Sequence, residues 1–340
     1  MGLGYVRIAG ESIQGTEANS PTLATKKVFF PILEFTHALA HRPISRDDEL
    51  VNTNDPRPDL EGDYMPTWGL RARMYPDMVA HLFSIAFGAP TTTAGDAIIT
   101  DLDAVAVPVG ATRHTWTSPF GPAGAEPKTA QIDVAYTTES AFYKLKGAAI
   151  DTISIETPEA GGVIVSVSGP ANYLDKQTDP SLTPAYESET LHPFLFAHAG
   201  ISWASGTADT RNVSVSQAMP IVRDAIFGVG SQWQTKCFKG NEPPMTTGSM
   251  EKVLIDQDDF DKMRDSTGFA AKVKWVSTDI IASAYPYKVI GQFENAQYSG
   301  GGAAPLTNAQ RRGATFQWKA TRTSAGAAVW QVINNVASYS

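Results

Sequence analysis

Gly62-Asp63-Tyr64-Met65-Pro66-Thr67 leads through Gly69 into the apolar run at 70–74 and on to Pro76-Asp77-Met78. About 180 positions later, Gly240-Asn241-Glu242-Pro243-Pro244 leads through Gly248 into the run at 250–255 and on to Asp258-Asp259-Phe260. Each unit reads as a turn, a strand and the start of a short helix with acids at its head. The offset drifts by a few residues, and the period far exceeds the roughly 20 to 50 residues of a solenoid repeat. The pattern is that of a supersecondary element used once in each half of the chain, with a chance match as the alternative.

The elements around these units follow from local chemistry. Pro76 suits a first helical turn, Asp77 complements the positive end of the helix dipole, and Gly88 supplies a left-handed stop. Between them Met78, Val79, Leu82, Phe83 and Ala86 recur at three and four residues, which predicts a helix lying against a sheet. The second helix, about 258–265 with Gly268 as its stop, is shorter and more charged. Strand patterns cover 26–39, where Pro31 implies an edge or bulge, then 129–138, 142–157 and 162–169 as a meander. Further strands are expected at 192–203, 212–222, 230–238, 269–278 and 281–293, with Val213, Val215 and Gln217 alternating cleanly. Gly300-Gly301-Gly302 reads as a turn, and 314–323 with 327–334 reads as a terminal hairpin across Ser324-Ala325-Gly326.

The fold class is therefore mainly β, arranged as two tandem β-sandwich or half-barrel domains, each flanked by a short α-helix. An N-terminal assembly arm at 1–26, rich in Gly, Ser and Thr, precedes a first β domain at 27–172. That domain carries a long loop at 89–128, with a short apolar patch that allows a hairpin. The polar stretch 173–189, with Pro180 and Pro184, reads as the linker to a second domain at 190–340.

Composition narrows the function. The 340 residues are 42% apolar and 18% charged, enough for two ordinary cores. Thirty-five acids against 27 bases leave a net charge of -8, which opposes a generic phosphate-binding surface. The single Cys237 forms no internal disulfide and lacks the paired thiolates of a structural zinc site. The opening residues carry no continuous apolar segment before Glu11, Val6 stands where a myristoylation signal has Ser or Thr, and no apolar run is long enough to span a bilayer. No membrane insertion is expected.

Candidate chemistry is sparse. His37 and His41 are four apart, but in a strand they lie about 13 Å from each other, too far to share a metal. A calcium loop begun at Asp256 needs Gly where Asp261 stands and Glu where Thr267 stands, so Asp258 or Asp259 reads as a helix cap. No Gly-x-Ser-x-Gly elbow is present, and neither Gly228-Val229-Gly230 nor Gly300–Gly302 leads a strand into a helix as a phosphate cradle must. Asn212-Val213-Ser214 has no meaning as a glycosylation site without secretion. The dispersed tryptophans read as core. No enzyme, cofactor or metal is expected.

The order of signals resembles the major tail tube proteins of long-tailed, siphovirus-like bacteriophages. The resemblance is carried by Glu11-Ser12-Ile13-Gln14-Gly15-Thr16, the strand at 28–35, the Gly69–Met74 strand feeding the helix that ends at Gly88, and Gly147-Ala148-Ala149-Ile150-Asp151. Phe293 to Tyr298, Phe316-Gln317-Trp318-Lys319-Ala320 and Val332-Ile333-Asn334-Asn335 with Tyr339 are similar to that family's closing segment. It implies a structural virion protein that self-assembles into stacked rings around a lumen, a conduit for genome delivery. Its partners would be itself, a tape-measure protein and tail terminator or tip proteins, with DNA passing without specific binding. It would be assembled in the host cytoplasm.

Under this resemblance Asp133 and Glu139 are expected to face the lumen, while Glu11, Ile13, Thr112, Trp116 and Phe120 are expected at contacts between subunits or rings. The chain is longer than many members of that family. Two tube-like halves make homotrimeric rings, as pseudo-hexamers, the first choice; a homohexamer is the alternative if the echo is chance. Removing the arm at 1–26 is expected to leave a folded monomer that forms no tubes. Another phage structural protein (tail tip, decoration or adhesin-like) and an acidic hydrolase are the competing readings.

Overall fold

The computed structural model describes residues 4–11, 28–44, 60–118, 124–136, 140–177, 191–203, 206–207, 210–227, 233–252, 257–282, 284–303, 314–322 and 326–339. The chain begins with β1 (Tyr5–Gly10), β2 (Val28–Phe30), β3 (Ile32–Ile44), β4 (Leu60–Arg73) and helix α1 (Met78–Phe87). It continues through β5 (Thr91–Thr100), β6 (Ala106–Thr117), β7 (Ala130–Tyr136), β8 (Ala141–Ala148), β9 (Thr152–Thr157), β10 (Ile164–Pro170) and β11 (Tyr173–Gln177). Then follow β12 (Ala199–Trp203), β13 (Gly206–Thr207), β14 (Thr210–Ala218), β15 (Ile221–Phe227), β16 (Trp233–Lys239), β17 (Met245–Lys252) and helix α2 (Gln257–Arg264). The last strands are β18 (Phe269–Ala282), β19 (Tyr285–Ala303), β20 (Ala314–Ala320) and β21 (Val329–Asn334). The fold is mainly β, in open sheets, and no helix among the described residues is long and apolar enough to cross a membrane.

The strand pairings follow one order twice. In the earlier part of the chain β2-β1-β7-β8-β11 form one sheet, and β3-β4-β10-β9 form a second layer. In the later part β13-β12-β18-β19-β21 and β14-β17-β20-β19 repeat those two orders, with α1 after β4 and α2 after β17. The long β19 does alone what β8 and β9 do together. Its beginning pairs with β21 at Lys288–Gln292, and its end pairs with β20 at Ala296–Ala303. Two hairpins interrupt the correspondence: β5–β6 after α1, and β15–β16 between β14 and β17.

A residue-level match fixes the alignment of the two orders. Trp68 on β4 faces Gly169 on β10, and Gly248 on β17 faces Trp318 on β20. Each pair sets a buried tryptophan opposite a glycine, with the large and small partners exchanged: the Trp318 ring lies over Gly248, while the Ala149 carbonyl lies over Gly169 and accepts from the Trp68 indole at 3.2 Å. A Cβ at Gly248 would lie 2.3 Å from the Trp318 ring, so the glycine is required for close packing rather than for a turn. With Trp68 matched to Gly248, Leu70 corresponds to Met250, both buried.

The halves are not separate sheets. β9 pairs with β14 from Ile153 opposite Gln217 to Thr157 opposite Val213, and β6 pairs with β21 through Trp116 opposite Trp330. One apolar core runs through both, gathering Leu70, Leu82, Phe83, Ile153, Val215, Trp275, Phe293, Phe316 and Trp330. The helix predicted between Pro76 and Gly88 is there, and its Phe83 ring stacks edge-on against Trp116 and tilted on Trp330. Residues 173–177 of the expected linker form β11, paired with β8, and 178–189 lie outside the described residues.

Several local expectations are corrected. Residues 5–10 of the expected arm form β1, a central strand whose Val6 and Ile8 are buried; six residues are too short a run to display a period, and removing 1–26 strips this strand from its sheet. The stretch 142–157 divides into β8 and β9. Gly300-Gly301-Gly302 lies within β19 instead of turning, because β20 pairs along it. β20 and β21 do not pair with one another: the chain leaves one layer after Ala320 and enters the other at Val329. The excursion at 89–128 contains the hairpin β5–β6.

Candidate lumen face and subunit edges

Eight strands in the order β3-β4-β10-β9-β14-β17-β20-β19 make a continuous band with two unlike faces. Alternation sends Phe35, Leu70, Val167, Ile153, Val215, Met250 and Phe316 into the core. The opposite face carries hydroxyls: Thr36, Thr67, Ser166, Ser168, Ser154, Ser214, Ser216 and Ser249. Ser214 and Ser249 share a hydrogen bond of 2.8 Å across β14 and β17, and Asn212 Nδ2 donates to Glu251 Oε2 at 2.9 Å. Charges on this face balance among the described side chains, with Glu34, Glu156 and Glu251 against Arg71, Arg73 and Lys319. At its margin, burial raises the Asp151 carboxyl above the usual range, against a hydrogen bond from Ser168 Oγ at 3.2 Å.

The band is staggered. Stepping sideways from Leu70 through Val167, Ile153 and Gln217 arrives at Thr246, four residues short of the Leu70 counterpart Met250. A stagger of one residue per strand, about 3.3 Å along for about 4.8 Å across, corresponds to a strand tilt of about 35°, within the range of closed barrels. The band itself is open. β3 pairs only with β4, and β19 beyond Ala296 pairs only with β20, so among the described strands both ends are unpaired edges.

The residues singled out from sequence lie elsewhere. Asp133 is on β7, in the other sheet, where it is 5% exposed and accepts hydrogen bonds from Arg7 Nε at 2.8 Å and Gln131 Nε2 at 2.9 Å. Its charge is matched inside the subunit. Glu11 folds back on its own chain, accepting from Thr129 Oγ1 at 2.7 Å and from the Gly147 amide at 2.9 Å. Thr112 and Trp116 are buried on β6, and the Trp116 indole donates to the Gly88 carbonyl at 2.9 Å. Ile13, Phe120 and Glu139 lie outside the described residues.

The metal and calcium candidates also separate. His37 lies beside Tyr136 and Tyr143, and burial pushes its imidazole below the usual value. Asp259 is not a cap: it sits within α2, buried, bound by Lys252 and by the Tyr298 hydroxyl at 2.7 Å. Among the described residues no group of three His, Cys, Asp or Glu could hold a metal ion. The hydroxyl face is not legible in the sequence, although Ser214 and Ser216 alternate with Val213 and Val215; its signal is spread over eight strands and needs their order to be read.

A protein-family model described as "Phage tail tube protein" matches residues 3–320. No curated protein matches the chain. The match spans the whole eight-strand band and both of its edges, and of the two recurrent strand orders it leaves out only β21. The chain belongs to the phage tail tube family, structural proteins of the virion tail that assemble with themselves and with other tail proteins into a tube.

Proposed function

We propose that three copies of this chain close each ring of the tube, with the hydroxyl face of the eight-strand band as the wall of the lumen. The observation that carries this reading is the recurrence of one strand order in both halves, which makes each chain two pseudo-equivalent segments of a wall. Three eight-strand bands give about 24 strands, and at a spacing of about 4.8 Å and a tilt of about 35° the backbones enclose a bore about 45 Å across. After side chains on both walls, that leaves room for a single double helix. Six such chains would double the bore.

The balanced face suits passage. A phosphate backbone gains affinity by releasing counterions to clustered Lys and Arg, and here each base has an acid to offset it. Hydroxyls offer transient hydrogen bonds without a fixed charge, which supports a conduit for DNA and, before it, for an extended tape-measure protein. Terminator and tip proteins would cap the stack, which would form in the host cytoplasm. Native mass spectrometry of rings released from tubes is expected to give three chains per ring; a mass of six chains would overturn the reading.

A further inference from the structure

We propose that rings close where the edge Gly300-Gly301-Gly302-Ala303 of β19 pairs antiparallel with β3 of the next copy. The proposal rests on the ring reading above and specifies the surface that makes it. Within the chain, the two recurrences of the strand order meet where β9 pairs with β14, with Ile153 opposite Gln217, Ser154 opposite Ser216 and Ile155 opposite Val215. The end of β19 occupies the place of β9, and β3 occupies the place of β14. The junction between copies is then the internal junction made once more, joining the end of the later half to the start of the earlier one.

The register follows from the pairings. Leu70 matched to Met250 makes Phe35 on β3 the counterpart of Val213, since each lies opposite its matched residue. Across the other side, Val167 corresponds to Phe316, and Ile153 therefore to Gly301. Carried over, the internal register puts Gly301 opposite Leu39, Gly302 opposite Ala38 and Ala303 opposite His37 of the next copy.

The chemistry of both edges fits this occupant. Three consecutive glycines present bare backbone, which lets another strand approach closely. β3 offers a 13-residue strand with Leu33 45% exposed, the kind of long edge that soluble proteins shield. The stagger accumulated across the internal junction, about one residue per strand over four steps, is of the size that a closed barrel requires.

The test is a paired-cysteine variant, Ala38→Cys with Gly302→Cys, at the positions that correspond to Ser216 and Ser154. The native Cys237 is buried, and burial pushes its thiol up to about 11, so it stays out of the exchange. Tubes of this variant, oxidised and run on a denaturing gel without reductant, are expected to give linked dimers and trimers with nothing larger. The offset pair Thr36→Cys with Gly302→Cys is expected to link at least tenfold more slowly. Bands continuing to six chains would retain the edge and overturn the count of three; faster linking of the offset pair would overturn the register. Hydrogen exchange on the unmodified protein checks the edge independently of any variant. The amides of Gly300–Ala303 are expected to exchange at least tenfold more slowly in tubes than in free subunits, and unchanged rates would overturn the proposal.

Discussion

The two helices occupy corresponding places in the recurrent strand order, yet they are built differently. α1 has nine buried residues among ten and sits beneath Trp116 and Trp330, strands of the β5–β6 hairpin and of the chain's end. α2 is short and charged, with Lys262 and Arg264 in its last turn, and it touches the core through Met263, while Asp259 is held by Lys252 and Tyr298. The hairpin inserted after α1 supplies the cover that makes the first helix a core element. No such hairpin is inserted after α2, which leads directly into β18, and its polar composition follows from that. One supersecondary plan can therefore serve as interior in one half and as surface in the other, according to what the insertions bring over it.

The comparison breaks most sharply at the helix cores. Phe83→Ala removes a ring packed on Phe87, Trp116 and Trp330 and is expected to cost about 4 kcal/mol, whereas Met263→Ala, half-buried, costs about 1 kcal/mol. Urea unfolding of both variants measures the difference, and equal losses would remove the distinction between the helices.

A second contrast lies in the sheets around them. Asp133 on β7 is bound by Arg7, both buried, while on β18, which takes the place of β7 in the later order, Lys272 reaches Asp103 in the β5–β6 turn and the Leu102 carbonyl at 2.5 Å. Arg7→Ala strands a buried carboxylate and is expected to cost about 3 kcal/mol; Lys272→Ala, part-exposed, costs about 1 kcal/mol or less. Thermal denaturation of the two variants ranks them, and a reversed ranking would show the second tie to be the stronger.

The smallest effect is a pH dependence confined to the inserted hairpin. His114 on β6 is fully buried: its Nε2 donates to the Val336 carbonyl at 3.0 Å, and the Thr92 hydroxyl donates to its Nδ1 at 3.0 Å. Burial lowers its imidazole below the usual value, and the hydrogen bonds to Val336 and Asn334 offset that only in part. A depressed folded value means that stability is fully present above the unfolded value of about 6.5 and is lost as pH falls through the folded one. The urea midpoint is expected to drop between about pH 7 and about pH 5, and His114→Gln to flatten that drop. An unchanged slope in the variant would assign the titration elsewhere.

Much of this architecture was legible in the sequence where the cause is local. Pro76, Asp77 and Gly88 bound a helix by their own backbone chemistry, and Val213, Val215 and Gln217 mark a strand by side-chain alternation. The echo of the two strand-helix units was visible in the order of turn, apolar run and acidic helix start, although its two glycines are one position out of step, since the counterpart of Gly248 is Trp68. Pairing was not legible, since it is set by distant residues. Nothing near Asp133 announces that Arg7, 126 positions away, will neutralise it, and nothing near Gly300 tells a turn from a strand edge. The same holds for the lumen face: each strand shows alternation, but which polar side lines a common wall depends on the order of eight strands.

The exchanged tryptophan–glycine pairs carry a consequence for how the halves can be recombined. Transplanting β4 alone into the place of β17 would set a second indole against Trp318, and transplanting β17 alone into the place of β4 would empty the Trp68 site and take the indole donor from the Ala149 carbonyl. Only a graft that carries both partners conserves the volume between the layers. Each half thus keeps its own lock and key, and a chimera of this chain succeeds or fails by strand pairs rather than by strands.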